Sequence, residues 1–336
     1  MKELLANLTG VYGPSGKEDS IRSAIEKEIK DHVDEIRTDT MGNLIAVKKS
    51  TLSGDKPPVR VMTAAHMDQI GLIITNIDEN GFLRFSNIGG VSPFNVINRR
   101  VVFENGITGT VSYETELENM KDLKLNKMYI DIGAANREEA EKQVSIGDAA
   151  VYYAPMAAAG NRYFGCAMDD RAGCAVLVQA IKTIKDSPNE LIFVFTVQEE
   201  VGLRGAKTSA YSVNPAMAIS LDVTLTGDTP KSRPMAVRLG AGPAVKIKDS
   251  SLICHPRVKN LMIDRAEEAG IPYQLEVLEA GGTDSGSIHL SREGVPSGVI
   301  SIPCRYIHSA REMVDKNDLE NAVKLLNSIL ENEIVL

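Results

Sequence analysis

The sequence predicts an α/β fold with a smaller β-rich segment inserted into it. Three observations carry this. Residues 191–197 form an unbroken apolar run, as in a strand covered on both faces. After Gly165, helical stripes alternate with further apolar runs. Between them, from about Ile70 to Tyr163, the signals change to short strands punctuated by turns. There Asn80-Gly81 and Asn105-Gly106, each between β-type runs, predict hairpins.

In chain order, the first segment reads as helix, loop, helix, turning at Gly13-Pro14-Ser15-Gly16. The second helix, within 18–32, carries a stripe of Ile21, Ala24, Ile25 and Ile29. A turn at 40–43 leads to a short strand at 44–47, and a strand at 59–65 ends at His66. In the insert, Gly89-Gly90, Gly133 and Gly147 mark turns, and one helical stretch falls near 137–143. A helix at 171–185 presents Cys174, Leu177, Val178, Ile181 and Ile184 on one face. Strands follow at 191–197, 217–221 and 298–302, with helices at 258–268 and 317–330. The expected division is residues 1–69 with 164–336 as the catalytic unit, and 70–163 as the insert.

The 336 residues suit two domains or one large one, and 43% hydrophobic content allows a sizeable core. A net charge of -8 argues against general affinity for nucleic acid or anionic membrane, which need clustered Lys and Arg. The N-terminal apolar run is broken at Glu3 and Asn7, and no apolar stretch is long enough to span a bilayer. Four cysteines without CxxC spacing read as reduced, buried thiols, so the expected location is the cytoplasm. The absence of Trp and an aromatic content of 5% disfavour stacking grooves for sugars or single-stranded nucleic acid.

The chemistry lies where apolar runs stop. The first major strand runs into His66-Met67-Asp68, the run at 191–198 into Glu199-Glu200, that at 217–221 into Asp222, and that at 298–302 into a loop carrying His308. Ligands of open α/β sheets bind beyond the carboxyl ends of the strands. Asp169-Asp170 precedes a helix, whose dipole favours a carboxylate there. Singly, each has a plainer reading: a structural His, a solvated Glu pair, an Asp cap. Together, five or more such groups at one sheet edge point to a metal site. Two imidazoles with several carboxylates suit Zn²⁺, Co²⁺ or Mn²⁺ better than Ca²⁺ or a thiolate metal. One Asp can span two ions roughly 3.5–4 Å apart, with water between them losing its proton near neutral pH to a free carboxylate. Asp68, two residues after His66, suits the role of accepting that ring's other N–H; a turn residue is the alternative. Arg171, Lys231, Arg233 and Arg238 could lend positive potential to a pocket, although solvated surface is the commoner place for such side chains. His32, His255 and His289 read as structural, with substrate contact an alternative for His289.

The motifs resemble the tetrahedral aminopeptidase family, which includes glutamyl aminopeptidases and some proteins labelled endoglucanase M. The matching segments are Ala65-His66-Met67-Asp68-Gln69-Ile70-Gly71, Met168-Asp169-Asp170-Arg171-Ala172-Gly173, Gln198-Glu199-Glu200-Val201-Gly202, Asp222-Val223-Thr224, Gly281-Gly282-Thr283-Asp284 and Ile307-His308-Ser309. The resemblance implies an α/β fold whose central mixed sheet is flanked by helices, of the two-metal exopeptidase type, with the β-rich insert used for dimerisation. It implies two divalent metal ions, with His66 and Asp222 on one, Glu200 and His308 on the other, and Asp169 bridging. Glu199 becomes the general base, activating the metal-bridging water, and Asp68 the residue that orients His66. Peptides are the implied substrates, Zn²⁺ or Co²⁺ the first choices of metal, and dimers assembling into a hollow dodecamer the implied homo-oligomer. The family often has Gly-Gly-Trp-Asp-Pro where this chain has Gly89-Gly90-Val91-Ser92-Pro93. That departure is expected to lie away from the ligands and to bear on assembly or access.

A metal-dependent aminopeptidase is therefore the leading expectation. A glycoside hydrolase using paired carboxylates without metal is the alternative, disfavoured by the histidines and the few aromatics. A shell or binding module with a degenerate site is the third reading.

Overall fold

The computed structural model describes residues 1–52, 57–115 and 119–335. Four parallel strands form the middle of a large mixed sheet, in the order Glu190–Thr196, Arg60–His66, Met217–Thr224 and Ser297–Arg305. Antiparallel strands extend it: Glu35–Thr38 and Leu44–Lys48 on one side; Glu312–Asp315, Arg162–Gly165 and Ala157–Ala159 on the other. Strand Ala244–Lys248 branches from Ser297–Arg305 and carries Gln274–Val277 as its outer neighbour.

The apolar runs are unbroken because both sheet faces are covered. Side chains alternate across a strand, so Leu191, Phe193 and Phe195 enter one core with Val61 and Ala65. Ile192 and Val194 enter another with Met62 and Ala64. The first core is covered by helices Met168–Thr183 and Lys316–Leu330, with Lys2–Thr9 and Asp19–Ile29 beside them. The second lies under helices Arg204–Val213 and Ser285–Ile288.

Strands Gly71–Ile77, Leu83–Ile88, Arg100–Phe103, Thr108–Tyr113, Met128–Asp131 and Ala149–Tyr152 close into a separate barrel. Both expected hairpins are present: Asn80-Gly81 joins the first two strands and Asn105-Gly106 joins the next two, each pair antiparallel. The barrel strands end at Tyr152. The following strands, Ala157–Ala159 and Arg162–Gly165, pair with each other and with Glu312–Asp315. The stretch up to Tyr163, expected in the insert, thus includes strands of the large sheet. Their partner in sequence lies near the C-terminus, which a local pattern does not reveal. Among the described residues, no helix is long and apolar enough to cross a membrane. All four cysteines are buried and unpaired.

Candidate metal centre

The strand ends bring the expected groups together. His66 closes its strand in register with Thr196, three residues before Glu199. Asp222 lies on the neighbouring strand, and the 306–311 loop after Ser297–Arg305 swings His308 across. Asp169 enters from the start of helix Met168–Thr183 and is joined to Asp170 by a cis peptide bond.

The Asp169 carboxylate sits between the two imidazoles. One oxygen is 2.9 Å from His66 Nε2 and the other 3.3 Å from His308 Nε2. Glu200 Oε2 is 3.2 Å from His308 Nε2, and Asp222 Oδ1 is 3.9 Å from His66 Nε2. Glu199 Oε2 is 4.0 Å from that same His66 nitrogen. The groups therefore form two halves that share Asp169. Asp170, flagged in the sequence only as Asp169's neighbour, also lies beside His66 and Asp222. Its Oδ1 accepts the Gly173 N–H at 2.9 Å. A Cβ on Gly173 would stand 2.2 Å from its Oδ2, so this helix turn requires glycine.

A frame of carboxylates holds the main chain beneath. Asp68 accepts the N–H groups of Glu199 at 3.0 Å and Glu200 at 3.3 Å, and the Ser15 hydroxyl at 2.6 Å. Its own backbone oxygen is 3.1 Å from His66 Nδ1, with its carboxylate at 3.5 Å from that nitrogen. The sequence reading assigned the His66 contact to the carboxylate. The backbone oxygen is nearer, and the carboxylate spends its acceptors mainly on the Glu199-Glu200 chain. Glu18 accepts the N–H of Gln198, at 3.2 Å, and that of Gly16, at 2.8 Å. Glu312 accepts the N–H groups of Asp169 and His308. Sequence reasoning missed Glu18 and Glu312, because a carboxylate that accepts backbone amides leaves no spacing signature.

The charges are strained together. Burial, the Asp222 carboxylate and the other carboxylates nearby hold Glu199 well above the usual range, although His66 pulls the other way. Burial and neighbouring carboxylates also raise Glu200, Asp170 and Asp222. Burial and Asp169 push Glu312 up to about 8, against its N–H donors and His308. Burial opposes charge on His308, but Asp169 and Glu200 outweigh it and push the imidazole up to about 12. Burial likewise opposes charge on His66, outweighed by Glu199, Asp169 and Asp68. Burial would raise Asp169, but the two imidazoles hold it below the usual range. Oxygens of Glu200, Asp170 and Asp284 are buried without a hydrogen-bond partner. Such a surplus of buried acceptors fits divalent cations. His66, Asp169 and Glu200 form one compact set of ligand atoms, and His66, Asp170 and Asp222 another.

The insert reaches the site, contrary to the expectation for Gly89-Gly90. A Cβ on Gly90 would stand 2.6 Å from His308 Nδ1. One on Gly89, whose φ is +74°, would stand 3.1 Å from Glu200 Cβ. A turn of the barrel thus packs against His308 and Glu200, and only glycine permits the approach. Arg171 is likewise buried, not a pocket or surface cation: it donates to the carbonyls of Leu8 and Val11 and to Gln69. Lys231, Arg233 and Arg238 are exposed. His32 is exposed, His255 precedes helix Pro256–Glu268, and His289 packs its Nδ1 against the Ser285 carbonyl, so none joins the cluster.

Residues 42–325 match the model of the M42 glutamyl aminopeptidase family. The chain belongs to that family. A putative aminopeptidase of Acetivibrio thermocellus is 57% identical over 97% of both chains. Among solved structures, the aminopeptidase APDkam598 of Desulfurococcus kamchatkensis superposes with a TM-score of 0.94 at 41% identity, covering 98% of this chain and 94% of that one. The TET1 peptidase of Pyrococcus horikoshii, described as assembling into a tetrahedron or a large octahedral shell, superposes at 0.84 with 34% identity over 98% of each chain. As a member of the M42 family, the chain is a peptidase, a metal-dependent aminopeptidase, and the glycosidase alternative falls.

Proposed function

We propose that His66 and Asp222 hold one divalent ion, that Glu200 and His308 hold the other, and that Asp169 spans both. The observation that carries this is the Asp169 carboxylate, with one oxygen beside each imidazole. When bound, the ions polarise the scissile carbonyl and acidify the attacking water. Glu199 takes the proton of that water and delivers it to the leaving amine. Its burial, with the neighbouring carboxylates, raises its proton affinity above that of an ordinary glutamate, the direction a shuttling acid–base requires. Asp68 keeps Glu199 and Glu200 on opposite duties by fixing both amides. The mixed imidazole and carboxylate donors favour Zn²⁺ or Co²⁺, with Mn²⁺ next. We further propose that dimers assemble into a dodecamer, by likeness to the shell-forming Pyrococcus horikoshii peptidase. The four unpaired thiols support a cytoplasmic location.

The test is turnover on a panel of aminoacyl p-nitroanilides, using stripped enzyme refilled with Zn²⁺, Co²⁺ or Mn²⁺. Glu199→Gln is expected to lose roughly 10²–10⁴-fold in kcat while retaining both ions. Near wild-type turnover in that variant sinks the base assignment, and full turnover after stripping sinks the metal assignment.

A further inference from the structure

One buried carboxylate outside the proposed ligand set touches both ends of the site. Glu312 is 2% exposed and opens the strand Glu312–Asp315. Its Oε1 accepts the His308 N–H at 2.7 Å and its Oε2 the Asp169 N–H at 3.2 Å. These amides belong to segments far apart in the chain. The Asp169 amide lies at the head of helix Met168–Thr183, where Asp169 and Asp170 have non-helical backbone angles and the N–H has no intrahelical acceptor. The His308 amide lies in a loop with left-handed backbone at Tyr306 and at His308 itself.

His308, like Glu200, is carried beyond a strand end on an irregular loop. Elsewhere the loop is held by Asn95, whose Nδ2 donates to the His308 carbonyl at 3.0 Å, and by the Gly90 approach to the ring. Only Glu312 links the loop directly to Asp169's main chain among these contacts. The geometry points to Glu312 as a positioning residue that sets the spacing between Asp169 and His308, and so the grip on the ion assigned to Glu200 and His308. The inference rests on the two-metal reading. The role requires two acceptor oxygens in one plane. A glutamine supplies one, and turns an NH₂ donor towards the other amide. An aspartate keeps the charge but is one methylene short of reaching both.

The test is Co²⁺ titration of stripped full-length enzyme against a competing chelator, read by the cobalt absorption bands and by metal counts per subunit. Wild type is expected to take up two ions. Glu312→Gln and Glu312→Asp are each expected to weaken one ion roughly 10–100-fold while leaving the other unchanged, with His308→Ala marking which ion is lost. Excess Co²⁺ should restore their turnover. The melting temperature of the stripped variants separates this from a general loss of fold, which lowers stability without singling out one ion. Two-ion binding with wild-type affinities in folded Glu312→Gln and Glu312→Asp overturns the positioning role and leaves the two-metal reading intact. Failure of wild type to bind a second Co²⁺ overturns the two-metal reading itself.

Discussion

Replacing Gly90 by alanine should damage the proposed metal centre without replacing any of its proposed ligands. Gly90 does not have a positive φ, so alanine brings no backbone strain there, only volume. The added Cβ would stand 2.6 Å from His308 Nδ1 and 2.8 Å from its Cε1. Unstrained contact needs about 3.5 Å or more, so the ring must retreat by about 1 Å or the barrel turn must. On its far side, Nε2 is 3.2 Å from Glu200 and 3.3 Å from Asp169. A ligating nitrogen tolerates only about 0.2 Å of error. The overpacking should cost about 1–3 kcal/mol, and affinity at the proposed Glu200/His308 position should fall roughly 10–100-fold. The assay is chelator competition with Zn²⁺, beside kcat at limiting and saturating metal. Wild-type affinity and turnover in Gly90→Ala would refute the claim that this turn confines the ring.

Asp68→Asn replaces an oxygen that accepts backbone amides with a donor. Turnover should drop roughly 10–100-fold with both ions retained, as measured by kcat beside metal counts. Arg171→Met removes the buried donor to the carbonyls of Leu8 and Val11, although Leu8 still accepts the Val11 N–H. It should destabilise the fold by about 1–3 kcal/mol, read from urea melts, and an unchanged midpoint would contradict that. The Arg305 guanidinium beside Asp228 holds its carboxyl below the usual range, against burial. A lowered pKa contributes stability that is present above the unfolded value, about 3.9, and is lost as pH falls through the folded one. Asp228→Asn should therefore be less stable than wild type at pH 6, by a gap that narrows as pH falls from about 3.9 towards 2. A constant gap across that range would rule the pair out as the source.

What the sequence made legible follows from how each residue acts. His66, Glu199, Glu200 and Asp222 were visible because each interrupts or ends an apolar run, and a polar group there has few plain explanations. Asp169 was visible through its neighbour Asp170 and the helix that follows. The division of labour between Glu199 and Glu200 came from family resemblance, since adjacent glutamates are equivalent to any pattern. Glu18 and Glu312 were not legible because they act on main-chain amides, which every residue type possesses. Helix Arg204–Val213 was missed because Lys207, Thr208, Tyr211 and Ser212 dilute its apolar stripe. Gly90 reads as an ordinary turn residue. Its meaning lies in what stands opposite, 218 positions later in the chain by subtraction of 90 from 308.

The order of the parallel strands also bears on how the chain can be made. The barrel pairs only strands between residues 71 and 152, so it can close as soon as that stretch has left the ribosome. Strand Arg60–His66 comes earlier but pairs with Glu190–Thr196 and Met217–Thr224, both still unmade at that moment. An apolar strand must therefore wait, unpaired, while a finished barrel hangs behind it. An apolar strand left unpaired in this way is open to aggregation until its partners emerge. The proposed ligand set stays incomplete until residue 308 has been made, and its Glu312 support until later still, so a shorter nascent chain lacks the proposed centre.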